Sequence, residues 1–293
     1  MSFLSNLING ISLGSVYAII ALGYTMVYGI AKMLNFAHGD IIMVGAYTCF
    51  IAFFQAGMPV WLSILLAMVA CTVLGVVIEK LAYKPLRRAD SLSVLITAIG
   101  VSYLLQNLAQ LIFGASSKSF PDMFQLKAVK LADGELVISG ITIITIGTCL
   151  AVMIALTLFV NKTKMGKAMR ACSEDKGAAQ LMGIDVNRTI SLTFAIGAAL
   201  AAVAGVLLCS AYPVLTPTTG SMPGIKAFTA AVFGGIGSIP GAFLGGLLLG
   251  IIEIMSKAYI GTQVSDAMVF LVLIVILLVK PTGLLGKPMN EKV

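Results

Sequence analysis

Long apolar runs separated by short polar connections extend along the whole chain. A helix rises about 1.5 Å per residue, so about 20 apolar residues are needed to cross roughly 30 Å of hydrocarbon. Runs close to this length predict membrane-spanning helices at 11–30, 40–56, 60–82, 92–113, 140–160, 189–211, 239–257 and 265–280. A shorter apolar segment at 225–236 predicts a re-entrant segment or half-helix. The pattern therefore predicts an all-α fold, a polytopic helical membrane protein with about 8–10 transmembrane helices.

The runs are apolar on every side, and this favours helices over the strands of a barrel. Segment 269–279 reads VFLVLIVILLV, whereas a transmembrane barrel strand alternates apolar and polar residues over about ten positions. The composition agrees, because 59% of the residues are hydrophobic and only 11% are charged, against roughly 25% charged residues in soluble domains. The five cysteines are scattered in the sequence, so we expect them to fill the core rather than form disulfides or bind metal.

Positive charge is concentrated in three connections. Segments 84–90, 161–188 and 280–293 carry net charges of +2, +3 and +2, whereas segment 115–139 is neutral. Because Lys and Arg collect on the cytoplasmic side of membrane proteins, the first three are predicted to be cytoplasmic. Segments 115–139 and 212–224 are then predicted to face outward. This distribution explains the overall charge of +7 without a nucleic-acid partner.

The order of the spans sets a condition on their number. Span 189–211 leaves the cytoplasmic side, so an odd number of crossings must follow it before a cytoplasmic tail. Counting 225–236 as a short crossing meets this condition and gives nine crossings, with the N-terminus outside. Residues 31–40 either cap a helix or break one at membrane depth. The whole chain, 1–293, is predicted to form a single transmembrane domain.

The loop 161–188 is the longest polar stretch on the predicted cytoplasmic side. Its apolar residues recur at spacings that suit one face of a helix, and Gly183 follows them as a C-terminal cap. The loop therefore predicts a short amphipathic helix that presents small residues to another protein. The alternative is an ordinary solvated loop.

Polar side chains within the spans are few, and each is by default a candidate for a translocation pathway or gate. The candidates are Asn35, His38, Asp40, Gln106 and Asn107. Structural alternatives exist for each kind. The single histidine can act as a hydrogen-bonding group, Asp40 can cap the span that follows it, and Gln106 and Asn107 can join helices. No second His, Cys or acidic cluster in this region supports a metal site.

Glycines are dense between 233 and 250. The first part lacks the GxGxxG spacing and a preceding strand, so it does not predict nucleotide binding. Segment 241–250 contains small-xxx-small steps, which favour close packing within the chain or between subunits. The hinge and packing candidates are Gly234, Gly235, Gly237, Gly241 and Gly245.

Several segments together resemble a known family. Residues 166–184 follow the pattern G-x-x-x-R-A-x-x-x-D-x-x-A-A-x-x-x-G-I and are similar to the coupling loop of ABC importer permeases. Segments 24–40, 191–206, 226–250 and 280–286 extend the likeness over most of the chain, specifically to branched-chain amino acid permeases of the LivH type. The resemblance implies a subunit that forms half of a transmembrane pore.

The resemblance also implies roles for the loop 161–188. The loop would bind an ATPase subunit and pass nucleotide-driven motion to the helices. The residues implicated are Gly166, Arg170, Asp175, Ala178, Ala179 and Gly183. The sequence departs from the wider importer pattern at Gly177, where an acidic residue is usual, so a contact based on Glu is not transferred.

The partners implied are a second, related permease subunit, two cytoplasmic ABC ATPase subunits and a periplasmic or extracellular substrate-binding protein. The chain lacks the G-x-x-x-x-G-K-[ST] motif, so it is predicted to bind no cofactor and not to be an enzyme, with ATP–Mg used by the partner subunits. The implied substrates are leucine, isoleucine and valine, crossing the inner membrane of a bacterium. The alternatives are a permease for urea, short amides or other amino acids, and a stand-alone channel or ion-coupled carrier.

Overall fold

A computed structural model describes residues 2–87, 89–131 and 136–286, and it leaves the side chains of residues 2, 131 and 136 undescribed. The predictions that involve Arg88 and the charges in 132–135 and 287–293 lie outside the described residues. The helices are α1 (Ser2–Ala31), α2 (His38–Phe50), α3 (Val60–Ile78), α4 (Ser91–Phe113), α5 (Gly140–Lys162), α6 (Lys164–Glu174), α7 (Lys176–Leu181), α8 (Val186–Ala211), α9 (Ser221–Gly234), α10 (Ile239–Tyr259) and α11 (Ser265–Val279).

Short irregular elements complete the fold. Helix α2 continues as a π-helical turn, Ile51–Gln55, and α3 continues as another, Glu79–Tyr83. The strands are β1 (Lys118–Ser119), β2 (Val129–Leu131), β3 (Leu136–Ile138) and β4 (Val214–Leu215). Strand β1 pairs with β4 and β2 pairs with β3, both antiparallel.

Each of the nine predicted apolar segments coincides with a helix, and the all-α membrane fold is confirmed. Six helices of the described chain are long and apolar enough to cross a membrane, and α11 is a shorter apolar helix. The predicted spans at 40–56 and 225–236 correspond to α2 and α9, of 13 and 14 residues. Helix α9 is about 21 Å long, less than the hydrocarbon thickness, as expected for a half-helix.

Contacts made by the segments that connect the helices define two opposite faces of the helix bundle. On the α6–α7 face, Lys176 contacts the end of α1 through the Ala31 carbonyl, and Leu284 of the tail donates to the Phe233 carbonyl at the end of α9. On the β1–β4 face, the connection after α4 pairs with the connection after α8. The predicted grouping of segments 115–139 and 212–224 on one side is therefore present in the structure.

Helices α1 and α8 form the centre of the bundle. Within their most apolar windows 94% and 72% of the residues are buried, whereas the corresponding share is 22–28% in α3, α4 and α5. The outer helices present large apolar side chains such as Trp61 and Leu111 to their surroundings. All five cysteines are free and buried, as the sequence predicted.

Helices α1 and α10 approach so closely that only small residues fit between them. A Cβ atom added to Gly250 would overlap the backbone of Gly14, and one added to Gly246 would overlap Ala18. Close backbone approach of this kind is how small residues join helices in lipid, where the hydrophobic effect does not drive association. Segment 241–250 therefore packs within the chain through Gly246 and Gly250.

Candidate functional site

The chain is broken between α1 and α2, inside the predicted segment 31–40. Helix α1 ends at Ala31, Lys32 adopts a positive φ of 58°, and α2 begins at His38. The His38 ring lies close to Gly23 of α1 and to Gly197, near the middle of α8. The chain therefore turns back from the end of α1 and starts α2 deep inside the bundle. Irregular backbone at such depth is tolerated only where protein or a cavity surrounds it.

Two of the predicted pathway residues are held in this break. Asn35 is buried, and its Oδ1 accepts a hydrogen bond of 2.9 Å from the Tyr83 hydroxyl at the end of α3. His38 is also buried and packs edge-on against Tyr24, with 4.6 Å between the ring centroids. Among the described residues its Nε2 has no hydrogen-bond partner. The break is thus fixed to both α1 and α3.

Asp40 does not cap α2, contrary to one interpretation of the sequence. Ala37 occupies the N-cap position, and Asp40 lies in the first turn of the helix. Helix α2 starts earlier than expected. The backbone N–H groups of His38 and Asp40 donate to the carbonyl oxygens of Asn35 and Ala37, and these bonds already form the first turn before Asp40. The buried Asp40 carboxylate instead accepts a hydrogen bond of 2.9 Å from Gln106 Nε2.

Gln106 joins α4 to two other helices, whereas its neighbour Asn107 does not. The Gln106 amide also lies 3.2 Å from the hydroxyls of Ser102 and Ser221, the first residue of α9. Asn107 is exposed, and its Nδ2 donates to the Tyr103 carbonyl of its own helix. Successive residues of a helix point about 100° apart, so only one of the two reaches the centre. We call Asn35, His38, Asp40 and Gln106 the central cluster.

The N-termini of α2 and α9 meet at the central cluster. A Cβ atom at Gly39 would lie 2.7 Å from the carbonyl oxygen of Gly220, which directly precedes α9. Both positions therefore require glycine, because the two backbone segments touch each other here. The two helices run away from this meeting point towards opposite faces of the bundle.

The glycine-rich turn between α9 and α10 is tightly packed. Gly235 and Gly237 have positive φ values of 104° and 94°, which glycine adopts at no steric cost. Gly234 packs against Gly241, and Gly245 against the carbonyl of Ala230. The tail fastens this turn, because Leu285 N donates to the Gly234 carbonyl at 2.9 Å. The hinge role of these glycines stays a prediction.

The loop 161–188 contains two helices, α6 and α7, rather than the single helix that the sequence predicts. Asp175 separates them, because its Oδ1 accepts hydrogen bonds from Gly177 N at 2.8 Å and Ala178 N at 3.0 Å and so caps α7. Gly183 ends α7 with a φ of 80°, as its predicted capping role requires.

The six predicted coupling residues divide between the base of the loop and its surface. Gly166 is buried against the end of α5, and Ala179 is a buried residue of α7, whereas Arg170 and Ala178 are exposed. The most exposed apolar side chains of the loop are Leu181 at 90% and Met182 at 83%. Both belong to the apolar pattern from which the helix in this loop was predicted, but the contact was assigned to small residues.

Lys176 connects this loop to the broken helix α1. Its Nζ donates a hydrogen bond of 2.7 Å to the carbonyl oxygen of Ala31, the last residue of α1. Burial lowers the pKa of Lys176, and the nearby cations Arg87 and Lys32 lower it further. Lys176 therefore links α7 to the residue that directly precedes the break at 32–37.

A second connection joins α3 to α8 beside the loop. The buried Glu79 carboxylate pairs with Arg87 and accepts a hydrogen bond of 2.6 Å from Ser191 Oγ. Arg87 also donates to the side chain of Asn187. The sequence did not predict this cluster, because Glu79 and Ser191 are 112 positions apart.

Charged side chains also meet near the β1–β4 face. Glu253 and Lys257, four residues apart on α10, form an ion pair at 2.6 Å. Sequence reasoning overlooked Lys226 of α9, whose Nζ lies 2.8 Å from Glu253 and 2.7 Å from Asp266. The feature of the sequence that could have indicated this cluster is a lone lysine within an apolar half-helix. Within the described ranges, no three His, Cys, Asp or Glu side chains come together as a metal site.

Helices broken around a buried polar centre, with a helical loop at one face, define a multi-pass membrane permease. The family model described as "Branched-chain amino acid transport system / permease component" matches residues 6–278. The chain belongs to this family of permease components.

Curated relatives agree with the family over almost the full chain. The high-affinity branched-chain amino acid transport system permease protein LivH of Escherichia coli is 49% identical over 303 residues, covering 99% of this chain and 98% of the relative. The permease protein BraD of Pseudomonas aeruginosa is 47% identical, with coverages of 99% and 98%. A solved structure of PsaBC from Streptococcus pneumoniae in complex with Fab has a similar fold, with a TM-score of 0.50, 15% identity and coverages of 96% and 93%.

Proposed function

We propose that this chain is the transmembrane permease subunit of an ATP-binding cassette importer that moves leucine, isoleucine and valine across the inner membrane of a bacterium. The names of the LivH and BraD relatives support this class of substrate. The α6–α7 face is the cytoplasmic face in this proposal, because the excess of Lys and Arg lies there.

The observation that carries the mechanism is the hydrogen bond between Lys176 and Ala31. Two ATPase subunits bind ATP–Mg and close, and one of them moves α6 and α7 on this chain. Lys176 passes that movement to the end of α1, and the break at 32–37 passes it to the central cluster. Asn35, His38, Asp40 and Gln106 act as the gate, since they join the break to α3, α1, α4 and α9.

The proposed assembly contains further chains. A second, related permease completes the pore, and an external substrate-binding protein delivers the amino acid to the β1–β4 face. The exposed Leu181 and Met182 provide the apolar contact with the ATPase, since contiguous exposed apolar residues mark protein interfaces. Arg170 and Asp175 are the proposed polar contacts.

Reconstituted vesicles test this function. Vesicles that contain both permeases and the ATPase, with the binding protein added outside, should accumulate radiolabelled leucine only when ATP is present on the ATPase side. Omission of this subunit should abolish uptake, and unlabelled urea or acetamide should not compete. Uptake that persists without the subunit would contradict the proposal. Uptake by this chain alone, driven by an ion gradient, would instead identify an ion-coupled carrier.

A further inference from the structure

A cavity of about 310 Å³ opens on the β1–β4 face among α1, α8, α9 and α10. One part of its wall is apolar and is formed by Leu13, Leu208, Val214 and Pro223. The other part is polar and is formed by Tyr17, Tyr212, Thr219, Glu253 and Lys257. Small-molecule pockets have volumes of roughly 300–1,000 Å³, so the cavity suits a ligand at the small end of that range.

A charge network forms the polar end of this cavity. Glu253 is buried, its Oε2 accepts a hydrogen bond of 2.8 Å from the Tyr17 hydroxyl, and its Oε1 accepts from both Lys226 and Lys257 at 2.8 and 2.6 Å. Lys226 is also buried and donates to Asp266 at 2.7 Å. Two cations thus alternate with two carboxylates, and the network has no net charge.

The network holds more charge than a structural ion pair requires. Glu253 and Lys226 already neutralise each other inside the bundle. Lys257 and Asp266 add a further cation and a further carboxylate, whose side chains are 36% and 45% exposed. Lys226 and Lys257 both donate to Oε1 of Glu253. The buried carboxylate therefore keeps Lys226 as a partner when Lys257 moves away.

We infer that this cavity binds the zwitterionic end of an aliphatic α-amino acid on its way into the permease; this inference rests on the proposed function. Lys257 turns from Glu253 to the carboxylate of the amino acid. The vacated side of Glu253 Oε1 accepts a hydrogen bond from the ammonium group, and the Tyr17 hydroxyl keeps its bond to Oε2. Each charged group of the ligand replaces one partner in the network, so the charge balance is conserved.

The apolar part of the wall determines which amino acids are accepted. Leu13, Leu208, Val214 and Pro223 offer no polar side-chain atom to the ligand, so an aliphatic side chain is favoured there over a polar one. A ligand with an amine but no carboxylate offers Lys257 no new partner, so Lys257 stays bound to Glu253. A ligand with a carboxylate but no ammonium group adds a surplus negative charge to the network. Leucinol and 4-methylpentanoate are therefore expected to bind poorly.

Equilibrium binding to the complete transporter without its binding protein tests the inference. Radiolabelled leucine should bind the wild-type complex in lipid nanodiscs, and leucinol and 4-methylpentanoate should compete at least tenfold more weakly than unlabelled leucine. Lys257→Gln should raise the half-saturating leucine concentration at least tenfold and reduce the discrimination against leucinol. Lys257→Arg should stay within about threefold of the wild type.

The matched control is Lys127→Gln, which removes an exposed lysine from the connection after α4 on the same face and should leave binding unchanged. The same purified complexes are also reconstituted into vesicles, with the binding protein added outside, and assayed for ATP-driven leucine uptake. Absence of wild-type uptake would contradict the proposed function itself. Normal uptake combined with no leucine binding, with equal competition by leucinol, or with wild-type binding by Lys257→Gln would overturn the inference alone. The competition measurements need no variant, so they decide even if Lys257→Gln fails to assemble.

Discussion

The side-chain nitrogen of Lys176 in α7 lies 2.7 Å from the carbonyl oxygen of Ala31 at the end of α1. This bond joins a short helix on the surface to the helix that is most deeply buried in the bundle. The last carbonyl groups of a helix lack partners within the helix, so the lysine also stabilises the C-terminus of α1. A cation at this end agrees with the direction of the helix dipole.

Replacement of this lysine should separate ATPase binding from transport. We expect Lys176→Met to leave the ATPase subunits bound and to lower ATP-driven leucine uptake at least fivefold, because α7 loses its bond to α1. Co-purification and vesicle uptake measure the two effects. Lys162→Met, which removes an exposed cation at the end of α5, should affect neither. Equal uptake by Lys176→Met and wild type would show that motion does not pass through this bond.

The exposed tip of the loop should contribute most of the ATPase contact. Leu181→Asp should reduce the amount of co-purified ATPase at least tenfold, because a charge would be buried in an apolar interface. The permease should keep its thermal stability, since 90% of the Leu181 side chain is exposed. The control Leu126→Asp changes another exposed leucine, in the connection after α4, and should leave the ATPase bound. Undiminished co-purification of Leu181→Asp would contradict the docking role.

Two adjacent residues of α4 should respond oppositely to the same substitution. Gln106→Leu removes the donor to the buried Asp40 carboxylate, at a cost of about 1–3 kcal/mol, and should lower leucine uptake about tenfold. Asn107→Leu exchanges an exposed amide that bonds only within its own helix and should change uptake less than twofold. Uptake is measured at equal amounts of protein in the membrane. A stronger effect at 107 than at 106 would contradict the position assigned to the central cluster.

The contact between α1 and α10 should not tolerate a side chain. Gly250→Leu should destabilise the protein by about 3 kcal/mol or more, because overpacking at a backbone contact forces the helices apart. Gly100→Leu is the control, since nothing lies within 4 Å of a Cβ added there. The five buried cysteines serve as the reporter, because a thiol-reactive dye labels them when the protein unfolds on heating. A melting temperature of Gly250→Leu equal to that of Gly100→Leu would refute the packing argument.

The helices and the two faces could be predicted from the sequence because both depend on local properties. Apolar run length locates a helix such as α8, and the excess of Lys and Arg assigns the loop 161–188 to one side. The pairing of Asp40 with Gln106 could not be predicted, since these residues are 66 positions apart and meet only after the helices have packed. For the same reason the partners of Lys226, Glu253 and Asp266, could not be predicted.

Local chemistry also misled the sequence analysis at two positions. Asp40 has the residue type and the sequence position of a helix cap. In the structure, backbone hydrogen bonds from His38 and Asp40 form the first turn of α2, so the Asp40 side chain does not cap it. Asp175 lies inside an amphipathic pattern, and its side chain ends one helix and starts another. In both cases a short polar side chain competes with the backbone for hydrogen bonds, and the surrounding packing decides the outcome.

The meeting of the α2 and α9 N-termini at Gly39 and Gly220 has an electrical consequence. Each helix N-terminus carries roughly half a positive charge, and both lie beside the same buried centre. The Asp40 carboxylate lies in the first turn of α2 and brings a single negative charge to this centre. The two partial charges together balance that negative charge. The converging helix termini therefore stabilise an acidic side chain inside the bundle, and Asp40→Asn would leave their positive potential uncompensated at the centre of the permease.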